Sequence, residues 1–135
     1  MALISAFIGR SFDKKDEPLW IEIRQFLDSP KNTLFSWEDA EQSQASSVSV
    51  KVKTKIEKND IFIGILTKRD PVCRKYFRLG KRYLLGESAN CLTSYWVIQE
   101  SGYALGKGKK VVFMIEKGLD IPGGLNADAE YIVLD

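Results

Sequence analysis

Short apolar runs alternate with segments of helical periodicity along this chain of 135 residues. The apolar runs, each typical of a buried β-strand, are residues 3–8, 33–37, 61–66, 111–115 and 131–134. Between them, apolar residues recur at helical spacing in segments 18–27, 48–56 and 93–105. Strands that are apolar on both faces and alternate with helices indicate a parallel sheet covered on both sides. We therefore expect an α/β, flavodoxin-like three-layer sandwich whose five-stranded sheet has the order 2-1-3-4-5.

In such sheets, ligands bind beyond the carboxyl ends of the strands, where the strand order reverses. Here that point lies between the first and third strands. The residues that follow these strands are Gly9-Arg10-Ser11-Phe12 and Thr67-Lys68-Arg69. We expect both segments to border a binding crevice.

Two further stretches carry expectations about organisation. Residues 70–92 are expected to form a long, partly helical excursion, with Gly80 and Gly86 as breakers. The sequence stops at Asp135, directly after the fifth strand and without a helix to cover that side. We therefore expect residues 1–135 to be a single domain of a longer, multidomain protein.

The chain contains no histidine. This excludes a Ser-His-Asp triad, a Cys-His dyad, a His-bound metal and a His general base. Any chemistry therefore falls to carboxylates, Lys, Tyr, Ser, Cys or the backbone. Cys73 and Cys91 are isolated and form no CxxC motif, so we expect neither a zinc site nor a redox pair. Reduced thiols in a cytoplasmic protein are the expected state.

Charge and hydropathy limit the partners. Lys and Arg number 20 and Asp and Glu 18, and this net charge of +2 is too balanced to make nucleic acid the expected partner. Basic residues concentrate between Lys68 and Glu87, either on the solvated face of a helix or on a surface that meets a phosphorylated ligand or a partner. No apolar run approaches the ~20 residues that span a bilayer, and no signal peptide is recognisable.

The strongest candidate for chemistry is Glu100. On a helix it lies four residues after Trp96 and three or four before Tyr103 and Ala104, in an otherwise apolar and aromatic stripe. Two interpretations are open: a surface glutamate that extends past Trp96 to water, and a partly desolvated carboxylate in a cleft. In a chain without histidine, a desolvated carboxylate is suited to stabilising an oxocarbenium-like transition state on a sugar.

Several motifs resemble those of TIR (Toll/interleukin receptor) domains. Trp96-x-x-x-Glu100 resembles their tryptophan–glutamate signature, and Gly9–Asp16 after the opening strand resembles their first loop. Ile61–Thr67 resembles their third strand, and Leu34–Asp39 the second strand entering the BB loop. The similarity covers most of the chain in the right order, and it is closest to bacterial TIR-like domains of antiphage defence proteins.

The resemblance implies an activity, because bacterial, plant and some animal TIR domains cleave NAD at the nicotinamide–ribose bond. The products are nicotinamide and ADP-ribose or a cyclic isomer. It assigns the catalytic role to Glu100 and a packing role beside it to Trp96. With the switch-point residues, the candidates for substrate binding are Arg10, Ser11, Phe12, Trp37, Asp39, Thr67, Lys68 and Trp96. NAD is then the substrate, and no cofactor is expected.

The roles of three of these residues stay open. Arg10 is expected to bind a phosphate with two parallel hydrogen bonds. Phe12 or Trp37 is expected to stack on a ring of the ligand. Core packing, or an ordinary surface charge, explains each of them equally well.

TIR domains usually need to assemble before they cleave NAD, with the BB loop of one protomer completing the site of another. We therefore expect self-association and a fused or associated sensor domain as partners, and no membrane. A non-catalytic TIR module, with residues 37–45 and the basic segment as contact surfaces, is one alternative. A second is a nucleoside 2-deoxyribosyltransferase, because Gln99–Gly106 resembles the glutamate–glycine–alanine stretch of those enzymes. They share this architecture and use the glutamate as a nucleophile on a deoxyribose.

Overall fold

The computed structural model describes residues 4–30, 35–40, 48–68, 74–79, 82–87, 95–119 and 129–134. The elements within them are, in chain order, β1 (Ile4–Gly9), a short 3₁₀ helix (Lys14–Asp16), α1 (Glu17–Leu27), β2 (Phe35–Asp39), α2 (Val48–Lys58), β3 (Ile61–Leu66), β4 (Arg74–Leu79), β5 (Arg82–Glu87), α3 (Tyr95–Gly106), β6 (Lys110–Glu116) and β7 (Glu130–Leu134). None of the helices in these ranges is long and apolar enough to cross a membrane.

Five strands form one parallel sheet in the order β2-β1-β3-β6-β7. Numbered within that sheet alone, the order is 2-1-3-4-5, so the expected flavodoxin-like topology is confirmed. The order reverses between β1 and β3, which pair in register from Ala6 with Ile61 to Gly9 with Gly64. The carboxyl ends of both strands therefore open at the same edge of the sheet.

Alternate residues of the central strands build a hydrophobic core on each face of the sheet. On one face, Phe7 and Phe62 stack with ring centroids 5.9 Å apart, and α2 and α3 cover them. On the other face, Ile8 and Ile63 pack with Trp20 of α1. Because both faces of the same strands are buried, the sheet needs a helical layer on each side. The three-layer arrangement is confirmed.

The boundaries of the regular elements follow local sequence signals. Pro18 lies in the first turn of α1, where its missing N–H removes no helical hydrogen bond. Past the end of α3, Gly108 has a φ of 74°, a conformation that suits glycine and stops the helix. Strand β2 ends at Asp39, two residues beyond the predicted end at Trp37. Asp39 is therefore a strand residue and pairs with Ile8 of β1.

The prediction for residues 70–92 is wrong where the structure describes them. Instead of a partly helical excursion, β4 and β5 form a separate antiparallel pair, with Arg74 opposite Glu87 and Leu79 opposite Arg82. The basic residues of this segment therefore lie on a hairpin and not on a helix. Gly86, predicted as a breaker, lies within β5. Aromatic residues in both strands and a Gly-Lys pair between them favour a hairpin. The predictions for Cys73 and Cys91 fall outside the described residues.

The close packing of β3 against β6 can be tested at Gly64. A Cβ at this position would lie 2.9 Å from Cδ1 of Phe113 and 3.0 Å from Cε1 of Phe62. We expect Gly64→Ala to lower the free energy of unfolding by about 1–3 kcal/mol. Gly102 of α3 is the matched control, because a Cβ there meets nothing within 4 Å. Gly102→Ala should raise stability by about 0.5–1 kcal/mol. Urea unfolding measures the free energy of unfolding of both variants. A Gly64→Ala variant as stable as the wild type would contradict this packing.

Candidate active site

Glu100 lies on α3, and its carboxylate points towards the carboxyl end of β1. The residue is 6% exposed, so the interpretation as a solvated surface glutamate is wrong. Its Oε2 lies 2.8 Å from the position that a Cβ would take on Gly9. A side chain at position 9 would therefore collide with the carboxylate. The glycine at the end of β1 makes the close approach possible.

The Glu100 carboxylate is buried without compensation. Oε2 has no hydrogen-bond partner among the described residues. Phe62 approaches Gly9 as closely as the carboxylate does, with Cζ 2.6 Å from the same Cβ position, so the surroundings are apolar. Burial raises the pKa of Glu100 to about 8, since removal from water disfavours the charged form. In the free protein at neutral pH, the carboxyl group is therefore mostly protonated.

Glu100 lines one cavity, and a second cavity shares the wall residue Trp96 with the first. The first, here called the base slot, has a volume of about 90 Å³. Its walls are Val52, Lys53, Ile56, Trp96, Gln99, Glu100 and Tyr103. The second, the central crevice, has a volume of about 360 Å³ and shares Trp96 with the slot. Its other walls are Arg10, Ser11, Phe12, Asp13, Lys15, Asp16 and Thr67. Glu100 thus lines a cavity between α2 and α3, and its Oε2 reaches Gly9 at the carboxyl end of β1, where the strand order reverses.

The wall of the base slot is held by a polar network at its outer side. The hydroxyl of Tyr103 donates to Glu57 of α2, and this hydrogen bond lowers the pKa of Glu57. Lys107 forms an ion pair with the same carboxylate at 3.4 Å. These contacts join α2 to α3 and fix the ring of Tyr103 at the slot.

Arg10 is fixed on three sides. Its Cζ lies 4.2 Å from the ring centroid of Phe12 and 4.3 Å from that of Trp20. Its Nε donates to Oδ2 of Asp39 at 3.1 Å, and the two side chains are only 13% and 12% exposed. The terminal amino groups donate to no described residue and are not fully buried. Within the part of the chain that the structure describes, they are a pair of donors without a partner at the wall of the crevice.

Trp37 and Thr67, which are predicted to contact substrate, each border a cavity and also make contacts within the protein. Nε1 of Trp37 donates to Oδ1 of Asp28 at 2.8 Å, and the ring meets Trp20 edge-on at 5.6 Å. Trp37 therefore lies on the α1 side of the sheet, away from Glu100. Thr67 is buried, and its hydroxyl donates to Oδ2 of Asp16 at 2.9 Å. This bond ties the end of β3 to the loop after β1.

Ser11 and Lys68 also form hydrogen bonds within the protein. Oγ of Ser11 accepts from the backbone N–H of Asp13 at 3.2 Å, while the residue borders the central crevice. The backbone N–H of Lys68 donates to Glu116 at 2.8 Å, and its carbonyl accepts from Lys15. Lys68 borders neither the base slot nor the central crevice.

The structure thus brings together Glu100 with Trp96, and Arg10 with Phe12 and Asp39. Sequence reasoning missed the close approach at Gly9, although a glycine directly after an apolar strand is the signal for one. It also missed Trp20, whose helical spacing indicates only a core position. Among the described residues, no three Asp, Glu or Cys side chains come together as a metal site requires.

Comparison with known proteins bears on the fold. No protein-family model and no curated protein matches the chain. Among solved structures, the chain is similar to a CMP N-glycosidase from Clostridium botulinum, with 18% identity and a TM-score of 0.57. The match covers 97% of this chain and 89% of that one. At this level of identity, the likeness shows a shared fold.

The burial of Glu100 predicts an unusual dependence of stability on pH. Its pKa is 4.5 in the unfolded chain and about 8 in the folded protein, so between these values the folded state binds more protons. Stability must then fall as pH rises from about 5 to 8, by up to ~5 kcal/mol for this one group. Glu100→Gln removes the titration, and the variant should be more stable than the wild type at pH 8 and similar at pH 5. Thermal unfolding across this range measures the difference, and parallel curves would contradict the burial.

Proposed function

We propose that this protein is an NAD glycohydrolase that breaks the nicotinamide–ribose bond at Glu100, the activity that the resemblance to TIR domains implies. The observation that carries the proposal is a buried carboxylate at the wall of a cavity, whose Oε2 lies against Gly9 at the strand-order reversal and has no partner among the described residues. Cleavage of an N-glycosidic bond develops positive charge at the anomeric carbon. A carboxylate held in a dry site stabilises such charge far more than it would in water.

The cavities suggest how the substrate lies. The base slot is about the size of one aromatic ring and has apolar walls at Val52 and Ile56, so it suits the nicotinamide. Lys53 and Gln99 border the same slot and would donate to the carboxamide oxygen. The ribose then lies against Glu100, and the phosphates follow in the central crevice towards the unused donors of Arg10.

The proposed reaction is a displacement at the anomeric carbon. The C1′–N bond breaks, and its electron pair returns to the nicotinamide ring, which leaves as a neutral molecule. Glu100, in its ionised form, faces the cationic ribosyl group. Water adds to the anomeric carbon and loses a proton to give ADP-ribose, or a hydroxyl of the substrate adds instead to give a cyclic isomer.

The charge of the substrate and the burial of Glu100 act on each other. The nicotinamide ring of NAD is a cation, and a nearby positive charge favours the ionised carboxylate. Binding of NAD would therefore release the proton that burial retains on Glu100. A neutral substrate offers no such attraction, and this favours NAD over uncharged nucleosides.

A second candidate is cleavage of a pyrimidine mononucleotide. The likeness to a CMP N-glycosidase over nearly the whole length of both chains favours it, because that protein acts on the same class of bond. Both candidates assign the anomeric carbon to Glu100, and they differ in the base that leaves.

The resemblance also supports a biological setting. We place the activity in antiphage defence, where assembly of several copies, together with a fused or associated sensor, would switch it on. Residues 41–47, which would contribute the BB loop to a neighbouring copy, lie outside the described residues.

Release of nicotinamide from NAD tests the proposal. We expect the concentrated or oligomerised wild type to release it, and Glu100→Gln to reduce the rate by at least ~10²-fold. Glu22→Gln, which changes an exposed carboxylate on α1, is the control and should retain full activity. Release of cytosine from CMP, without nicotinamide from NAD, would favour the second candidate. Folded, oligomerised protein that cleaves neither substrate would favour a non-catalytic interaction module.

The dependence of the rate on pH tests the ionisation of Glu100. The value of kcat/KM reports the free enzyme, in which the pKa of Glu100 is about 8. If the ionised form acts, kcat/KM for NAD should rise about tenfold per pH unit below 8 and level off above it. The midpoint for kcat should lie at lower pH, because bound NAD favours the ionised form. A flat profile between pH 5 and 8 would contradict the assignment.

A further inference from the structure

A third cavity shares Arg10 and Phe12 with the central crevice. Its volume is about 530 Å³, within the range of small-ligand sites. We call it the aromatic pocket, and its walls are Arg10, Phe12, Glu17, Trp20, Arg24, Trp37, Glu38 and Asp39. The sequence did not predict a cavity between α1 and the end of β2.

The walls of the aromatic pocket carry donors, acceptors and rings in one place. The terminal amino groups of Arg10 have no described partner, and the rings of Phe12 and Trp20, 4.2 and 4.3 Å from Cζ, restrict the guanidinium. Glu17 is exposed at the start of α1; its backbone N–H donates to the carbonyl of Lys14, and its carboxylate makes no hydrogen bond or ion pair with a described residue. Trp37 supplies a large, half-buried aromatic surface.

These groups match the parts of a nucleotide. A guanidinium with two available terminal amino groups donates two hydrogen bonds to the oxygens of one phosphate. A carboxylate accepts hydrogen bonds from the hydroxyls of a ribose, and an indole ring packs on a base. Asp39 already balances the charge of Arg10 at 3.1 Å. Arg10 therefore acts through directed hydrogen bonds more than through net charge.

The three cavities are neighbours that share wall residues. Trp96 is shared by the base slot and the central crevice. Arg10 and Phe12 are shared by the central crevice and the aromatic pocket. A mononucleotide bound with its glycosidic bond at Glu100 would end at Arg10 and leave the aromatic pocket to solvent.

We infer that the aromatic pocket binds the far nucleoside of a dinucleotide substrate, with Arg10 between its two halves on the phosphates and Glu17 on the ribose. This inference rests on the proposed function and narrows it, because it makes the aromatic pocket the feature that selects a dinucleotide over a mononucleotide. For NAD, the far nucleoside is adenosine.

Kinetics with a long and a short substrate test the inference. NAD and nicotinamide mononucleotide present the same bond to Glu100, but only NAD reaches the aromatic pocket. We expect Glu17→Gln to raise KM for NAD roughly tenfold, as the loss of a hydrogen bond to a charged group does, and to leave KM for the mononucleotide unchanged. Glu22→Gln, on the same helix but outside the pocket, should alter neither. Equal effects of Glu17→Gln on both substrates, or no effect on either, would overturn the inference.

Binding of AMP provides a readout that does not depend on catalysis. The chain has three tryptophans, and in a Trp96→Phe variant the other two, Trp20 and Trp37, both border the aromatic pocket. We expect AMP to change their fluorescence saturably, and Glu17→Gln to weaken this binding. No change in a folded Trp96→Phe protein would overturn the inference. Binding of AMP without cleavage of NAD would refute the proposed function and leave the nucleotide pocket standing.

Discussion

The arrangement of this protein depends on the burial of both faces of β1 and β3. Phe7 and Ile8 are adjacent in the chain, yet they belong to separate cores on opposite sides of the sheet. Parallel strands of this kind cannot be covered by one layer, so α1 must pack on one side and α2 and α3 on the other. Two helical layers above one strand edge leave a crevice between them. The position of the site follows from the same constraint that forms the core.

The burial of Glu100 opposes stability at that edge. Transfer of a carboxyl group from water to an apolar environment is unfavourable without a compensating hydrogen bond, and none is supplied to Oε2 by the described residues. The group avoids the larger cost of a buried charge by keeping its proton, as its raised pKa records. The surrounding packing requires glycine at position 9, so the sequence at the end of β1 accommodates a side chain that destabilises the free protein. Unsatisfied buried groups of this kind are typical of functional sites.

Sequence periodicity was sufficient for the fold because it records which faces of each element are buried. It also placed Glu100 in an apolar stripe, since helical spacing fixes its neighbours. Contacts between distant segments are not recorded in this way. Arg10 and Asp39 are 29 residues apart and meet because β1 and β2 pair in parallel. The hairpin of β4 and β5 was missed because its basic residues resemble a solvated helix face, whereas strand pairing depends on cross-strand contacts.

Arg10 and Glu100, at the two ends of the proposed binding surface, differ in how many neighbouring groups stabilise them. Arg10 is held by the rings of Phe12 and Trp20 and by Asp39 on Nε, so its geometry is set in the absence of ligand. Oε2 of Glu100 has no partner among the described residues, and its raised pKa favours the neutral form; in the proposed mechanism, the cationic ring of the substrate would reverse this. A ligand held first by the rigid end would place its cationic ring beside Glu100 and so ionise it. The order of these events would confine the reactive form of the carboxylate to the complex with a substrate that reaches both ends.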